Sequence, residues 1–153
     1  MAENFKSDLL KTGGDIPEGH YADPSMKKTV VPFRNGIMLS IAAGYAESLD
    51  ADAIVLGNHF GDHAVYPDCR VDFINPMKEA IEKGTYKGIK LLSPFDTIDK
   101  TEIARIGHAL NFPFELTYSC YNGEDKHCGK CGTCFERKEA FQLAGIKDPT
   151  EYL

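Results

Sequence analysis

Residues 51–59 read Ala51-Asp52-Ala53-Ile54-Val55-Leu56-Gly57-Asn58-His59. The run from Ala53 to Leu56 is short, continuous and apolar, and Gly57 ends it. Such a run suits a strand buried on both faces in a parallel sheet. Helical spacing flanks it. Upstream, Ile37, Met38, Ile41, Ala42, Tyr45 and Leu49 recur at the helix period over 35–49, just after Pro32. Downstream, Val71, Ile74, Met77 and Ile81 mark one stripe of a helix over 70–83. Ile89–Leu92 is a second short strand, closed by Pro94. Asp99 caps a third helix to Leu110, with Glu102 completing a box-like pair and Ile103, Ile106 and Leu110 as its apolar positions. Leu116–Ser119 reads as a last strand. Thr133-x-x-Glu136 is a capping-box pattern for a final helix through Leu143, ended by Gly145. At the start, Asn4–Leu10 suits a short helix, and 12–25 is rich in Gly and Pro and reads as loop.

This alternation predicts an α/β fold, a doubly wound parallel sheet covered by helices. Ligands of such sheets bind at the carboxyl ends of the strands. The loops after Gly57 and Leu92 are therefore expected to carry chemistry.

A chain of 153 residues is the size of one ordinary domain, predicted here as 1–153. Hydrophobic residues at 42% and charged residues at 26% argue against wholesale disorder. No apolar run reaches the 18 residues of a membrane span. The segment MAENFKSDLL has no apolar signal core. With 17 Lys+Arg against 23 Asp+Glu, the net charge is −6. That balance disfavours tight binding to phosphate backbones or to anionic membranes. The expectation is a cytoplasmic protein that makes no direct contact with nucleic acid.

Five cysteines are present, and four fall close together: Cys120, Cys128, Cys131 and Cys134. In a reducing compartment, clustered thiols hold metal more often than they form disulfides. Four soft ligands at short spacing suit a closed, structural tetrahedral Zn²⁺ site. Gly129 and Gly132 offer the positive φ angles that such a turn needs. An iron–sulfur cluster uses the same four thiolates, and His127 is an alternative ligand. The metal loop and its helix are placed at 116–145.

The loop from Asn58 to Arg70 is dense in Asp, His, Tyr, Cys and Arg. Asp62 or Asp68 can accept hydrogen bonds from a guanine-like pair of N–H groups. Arg70 can make a two-point contact with a carboxylate. Tyr66 or Phe60 can stack on a planar ring. Cys69 is either a nucleophile or a packed, ligand-lining residue. His59 and His63 lack the carboxylate-and-His helical pattern of a second metal site. Arg34 and Asn35 open a helix, where Arg34 adds charge near an anion held by the helix N-terminus. Lys100 lies in the first turn of its helix, where a cation is disfavoured unless it faces an anion such as phosphate. Arg137 can bind a carboxylate or pair on the surface.

In order, Val31-Pro32-Phe33-Arg34-Asn35, Tyr66-Pro67-Asp68-Cys69-Arg70, Asp99-Lys100-Thr101-Glu102, Cys120-Tyr121-Asn122-Gly123 and Cys128-Gly129-Lys130-Cys131-Gly132-Thr133-Cys134-Phe135-Glu136-Arg137 resemble the QueC family of 7-cyano-7-deazaguanine synthases. The resemblance runs from about Ser7 to the C-terminus. It implies an adenine nucleotide alpha-hydrolase-like (PP-loop) fold with one structural Zn²⁺, held by Cys120, Cys128, Cys131 and Cys134. It implies conversion of 7-carboxy-7-deazaguanine and ammonia to the nitrile in queuosine biosynthesis, with ATP as co-substrate, Mg²⁺ as its companion ion, and a homodimer. Tyr66, Asp68, Cys69 and Arg70 become the expected substrate residues. Arg34, Asn35 and Lys100 become the expected nucleotide residues.

The family's Ser-Gly-Gly-x-Asp-Ser phosphate loop has no counterpart here. Lys11-Thr12-Gly13-Gly14-Asp15-Ile16 lacks a preceding apolar strand and reads as a connecting loop. The chain is therefore expected to be an N-terminally incomplete synthase, inactive alone. Two other readings stand beside it. One is a PP-loop relative that modifies tRNA, disfavoured by the acidic balance. The other is a non-catalytic, zinc-stabilised binding module.

Overall fold

The computed structural model describes residues 4–123 and 125–153. They gather into two compact units, Phe33–Ile98 and a second made of Met1–Pro32 with Asp99–Leu153.

Phe33–Ile98 holds helix α1 (Arg34–Ser48), strand β1 (Ala53–Val55), helix α2 (Val71–Gly84) and strand β2 (Lys90–Leu92). The strands are parallel, with Ala53 opposite Lys90 and Val55 opposite Leu92. The pairing extends past the strand ends: Lys90 N–H donates to Asp52 O (3.1 Å) and Leu56 N–H to Leu92 O (2.8 Å). The core is Leu39, Ala43 and Ala46 from α1, Ile81 from α2, and Ile89 and Leu91, with Ile54, Leu56 and Met77 packed against it. Both helices therefore cover one face of the strand pair. Val55 and Leu92 point the other way and are exposed. The expectation of strands buried on both faces is corrected accordingly.

The apolar stripe expected on α1 is also corrected. Met38, Ile41, Tyr45 and Leu49 are 59–67% exposed, whereas Gly36, Leu39, Ala43 and Ala46 are buried. Apolar residues lie all around this helix, so periodicity alone cannot choose its inner face. The small side chains of Ala43 and Ala46 let the helix approach the strands closely. On α2 the expected stripe is the inner one: Ile74 and Ile81 are buried and Met77 packs on the core.

In the second unit, helix α3 (Lys100–Ala109) packs against helix α4 (Gly132–Ala144). Asp99 caps α3 by accepting from Glu102 N–H (2.9 Å). The Glu102 carboxylate turns to Arg105 (3.1 Å). Helix α4 starts earlier than expected, with Cys131 at its cap position, so Thr133 lies inside the first turn. Gly145 closes α4 in the left-handed conformation (φ 72°), and Ile146 N–H returns to Phe141 O (3.0 Å), a pattern that satisfies the last carbonyls.

Two short elements differ from expectation. Leu116–Ser119 is not a strand: a 3-10 turn spans Phe114–Leu116, and no strand follows it among the described residues. Its N–H groups go instead to Pro113 O from Leu116 (3.0 Å), to Phe114 O from Thr117 (3.0 Å) and to His127 Nε2 from Ser119 (2.9 Å), while the Arg137 guanidinium donates to Thr117 Oγ1 (2.7 Å). The segment expected as a first helix forms successive turns over 8–13, with Asp8 N–H donating to Lys28 O (2.8 Å). Gly13 and Gly14 form a connecting loop, as read, with Gly14 N–H donating to Asp8 Oδ1 (3.1 Å).

Gly107 is required where α3 meets Phe114. A Cβ there would lie 2.5 Å from the Phe114 ring, which is itself held edge-on by Phe141 at 4.9 Å. Overpacking of this kind costs about 1–3 kcal/mol. Gly107→Ala is expected to lower the unfolding free energy by that amount, seen as a lower urea midpoint with an unchanged slope.

Candidate metal centre and substrate loop

The Sγ atoms of Cys120, Cys128, Cys131 and Cys134 all lie within 4.8 Å of one another. Three of the separations are 3.5, 3.9 and 4.0 Å. A tetrahedron with metal–sulfur bonds of about 2.3 Å has edges of about 3.8 Å. The four thiols thus fit a single tetrahedral ion.

Local backbone aims N–H groups at these sulfurs. Cys128 and Asn122 donate to Cys120 Sγ (3.3 and 3.4 Å), and Cys131 and Lys130 donate to Cys128 Sγ (3.3 and 3.4 Å). Burial opposes ionisation of Cys128, but the Lys130 and Cys131 N–H groups outweigh it and hold the thiol down at about 6. Cys134 is pushed up, first by burial and then by the Cys131 sulfur. A cation among the sulfurs reverses that balance, because coordinated thiols are deprotonated.

Gly129 takes the positive φ expected of it (73°). Gly132 does not. Its requirement is space, since a Cβ there would lie 2.8 Å from Met26 Sδ. His127 is not among the four grouped ligands. Burial, then the Arg137 charge, lowers its pKa, and its Nε2 accepts from Ser119 N–H (2.9 Å).

The loop expected to bind substrate sits at the carboxyl ends of the strands. Asn58, just past β1, receives a hydrogen bond from Ser93, just past β2. It also donates to Cys69 O (3.2 Å). This buried asparagine escaped the sequence reading, because nothing local in the sequence names its partners.

Helix α1 has a left-handed Phe33 (φ 55°) at its cap position and no capping side chain there. The cap comes from Asp68, whose Oδ2 accepts from Asn35 N–H (2.8 Å). A carboxylate at a helix N-terminus is stabilising by about 0.3–1 kcal/mol. Asn35 Nδ2 donates in turn to Asp68 O and Cys69 Sγ (both 3.2 Å). Burial and the Asp62 and Asp68 carboxylates push the Cys69 thiol up to about 12, against the opposing pull of Asn35 and Arg34. The thiol stays protonated at neutral pH.

Arg70 Nε donates to His63 O (2.8 Å). Tyr66 N–H donates to Asp62 O (2.9 Å). His59 pairs with Asp62 (3.3 Å). Asn35, expected with the nucleotide, and Asp68 and Cys69, expected with the substrate, thus form one hydrogen-bonded group beside Arg34.

Lys100 opens α3, and the anion that faces it is the Glu136 carboxylate of α4. Arg137 is buried rather than on the surface. Its carboxylate partner is Asp148, with Nε at 3.1 and 3.4 Å from the two oxygens. Asp148 also accepts from Tyr152 Oη (2.6 Å) and Thr150 N–H (3.1 Å).

Two outcomes follow from this geometry. Stripping the metal with a chelator is expected to lower the melting temperature of the unit that holds 99–153. An unchanged melting curve after verified metal loss would overturn a structural role. For Asp148, burial raises the pKa, but Tyr152, Thr150 and Arg137 outweigh it and hold the carboxyl below its ordinary value. Its stabilisation is complete above about pH 4 and is lost as pH falls through the lowered native value. Asp148→Asn is expected to cost about 3–5 kcal/mol at neutral pH, because Arg137 is left buried without its partner. The loss should shrink in acid, as read by urea unfolding across pH.

The family model described as queuosine biosynthesis protein QueC matches residues 1–145. A 7-cyano-7-deazaguanine synthase of Porphyromonas gingivalis is 59% identical over 152 residues, which is 99% of this chain and 69% of that relative. One of Desulfotalea psychrophila is 48% identical over 153 residues, covering 100% of this chain and 70% of its own length. One of Brucella ovis is 53% identical over 142 residues, 90% of this chain and 60% of the relative. With the family model spanning nearly the whole chain and identities this high, the chain belongs to the QueC family of queuosine biosynthesis proteins.

Proposed function

We propose that this chain serves the 7-cyano-7-deazaguanine synthase reaction, turning 7-carboxy-7-deazaguanine and ammonia into the nitrile at the expense of ATP. The observation that carries it is its 48–59% identity, over nearly its whole length, to relatives named as synthases of that product. That match favours this reading over a tRNA-modifying relative or a non-catalytic module.

The chemistry sets the requirements. A carboxylate oxygen is a poor leaving group, so the substrate oxygen attacks the α-phosphorus of ATP and pyrophosphate leaves. Ammonia adds to the acyl carbon, a proton is lost and AMP departs, giving the amide. The amide oxygen then attacks the α-phosphorus of a second ATP, and pyrophosphate leaves again. Loss of AMP and two protons leaves the nitrile. The protein aligns the partners, excludes water and offsets phosphate charge.

We assign Asp68, Cys69, Arg70 and Tyr66 to the deazaguanine. Asp68 uses one oxygen on Asn35 N–H, and its other oxygen suits a ring N–H. Arg70 is held through Nε, which leaves its terminal nitrogens for a carboxylate. Cys69 lines the pocket as a neutral thiol. Arg34, Asn35 and Lys100 are assigned to the nucleotide and its Mg²⁺-bound phosphates. Lys100 would then exchange Glu136 for phosphate. The four cysteines would hold one Zn²⁺ whose shell is closed, which supplies rigidity and no reactive water. We carry 1–153 as one domain of a doubly wound PP-loop sheet, with 116–145 as its zinc-binding part, in a cytoplasmic homodimer that acts on small molecules. No helix among the described residues is long and apolar enough to cross a membrane.

The test is nitrile formation from 7-carboxy-7-deazaguanine with ATP and ammonia, read by mass spectrometry. It is run with this chain alone and with the chain joined to the part of the Porphyromonas gingivalis synthase that it does not cover. Asp68→Asn in the active form is expected to lower kcat/KM by about 10- to 100-fold, the value of one charge-assisted hydrogen bond of ~1.5–3 kcal/mol. Absence of nitrile from both forms would overturn the assignment.

A further inference from the structure

The family model stops at residue 145, yet the chain beyond it is not an idle tail. Residues 146–153 run back over the cysteine loop and touch it at several independent points. Leu153 N–H donates to His127 O (2.9 Å), and His127 and Tyr152 form an isolated parallel bridge. The Tyr152 ring packs against the cluster of Cys120, Cys131 and Cys134. It also lies over Gly129, where a Cβ would come within 3.5 Å of Tyr152 Cδ1. Lys138 also lies over that ring, its Nζ 4.1 Å from the centroid, and donates to Gly129 O (3.0 Å). Lys126 pairs with Glu151 (2.9 Å) at the exposed edge.

The return path is clasped by Asp148. Its carboxylate takes Arg137 from α4, three residues after Cys134, and the Tyr152 hydroxyl. Both partners are largely buried at the contact, at 6% and 13% side-chain exposure for Arg137 and Asp148. One carboxylate therefore joins the helix that bears Cys134 to the ring that covers the loop bearing Cys128.

We propose that residues 146–153 form a metal-retaining strap, clasped by Asp148 and sealed by Tyr152, which slows loss of the ion from the four-thiolate site. Cys128 is the least buried of the four ligands, so a competing thiol or chelator reaches the ion through its loop. The strap covers that loop, and its Tyr152 ring lies against Lys138, which holds the Gly129 carbonyl, so a ligand can swing out only after the strap lifts. Groups around metal ligands typically change metal affinity by about 10- to 100-fold when removed. The inference rests on the reading that the cysteines hold zinc, and the experiment separates the two.

Zinc-loaded chain is mixed with an excess of a chromogenic chelator, and the absorbance of the zinc–chelator complex is followed. Tyr152→Ala is expected to release zinc about tenfold faster than the parent chain, from the same starting content of one ion. Tyr152→Phe, which keeps the ring and removes only the clasp hydroxyl, is expected to fall between them. It also serves if Tyr152→Ala fails to fold. Glu151→Gln, which alters only the exposed pair, is expected to release at the parent rate. Release from both Tyr152 variants at the parent rate would overturn the strap while leaving the zinc site standing. So would a lowered melting temperature in Tyr152→Phe with unchanged release. A parent chain that takes up no zinc would overturn the metal reading, and the strap with it.

Discussion

Four sulfurs held within 4.8 Å of one another are the constraint on which the 99–153 part of the chain depends. Without a cation, such a cluster cannot ionise at all four positions, since like charges at this range repel strongly. The N–H groups of Asn122, Cys128, Lys130 and Cys131 point at two of the sulfurs, so the backbone is arranged for negative charge there. Around this centre there is little conventional apolar core. Cys120, Cys131 and Cys134 are themselves the buried residues, with Ile16, Tyr121 and Tyr152 laid against them. The clustered cysteines thus occupy the place that Leu and Ile occupy in the other unit. The start of α4, the return of the chain after Gly145 and the burial of Arg137 all follow from closing that centre.

The 33–98 unit is organised by a different contact. Helix α1 begins at a left-handed phenylalanine with no side chain able to cap it, and its orphan N–H is taken by Asp68 from 33 residues away. One hydrogen bond therefore does two jobs. It completes the helix, and it fixes the loop from Tyr66 to Arg70 against it. Asn35 reinforces the join through Asp68 O and the Cys69 sulfur, and Asn58 ties Cys69 to the strand ends. The residues that chemistry singles out for substrate and for nucleotide are in this way held by each other, so a change at one of them is expected to be felt by the rest.

Much of this was legible in the residues. The α1, β1, α2, β2, α3 and α4 segments were each placed within a few residues, because period and capping signals are local. The four-cysteine group was legible because the ligand type and the short spacing are themselves the signal. The inner face of α1 was not, since Met38, Ile41 and Tyr45 are as apolar as Leu39 and only packing partners separate them. Leu116–Ser119 looked like a strand by composition, but its N–H groups go to nearby turn carbonyls and to His127. The capping box at Thr133 and Glu136 was a chance pattern: Cys131 takes the cap position and Glu136 turns to Lys100.

By itself, the sequence determined the order of the four helices and two strands, the family, the cluster of four cysteines and the polar loop after the first strand, because each is written in local spacing or in residue identity. Only the tertiary structure decided which groups answer which. Asp68 as the cap of a distant helix, Glu136 as the partner of Lys100, Asp148 as the clasp of Arg137 and Tyr152 as the cover of the sulfur centre are all contacts across many residues. Hydrogen bonds and ion pairs of that kind depend on where the backbone brings two groups, and no local pattern encodes the meeting point.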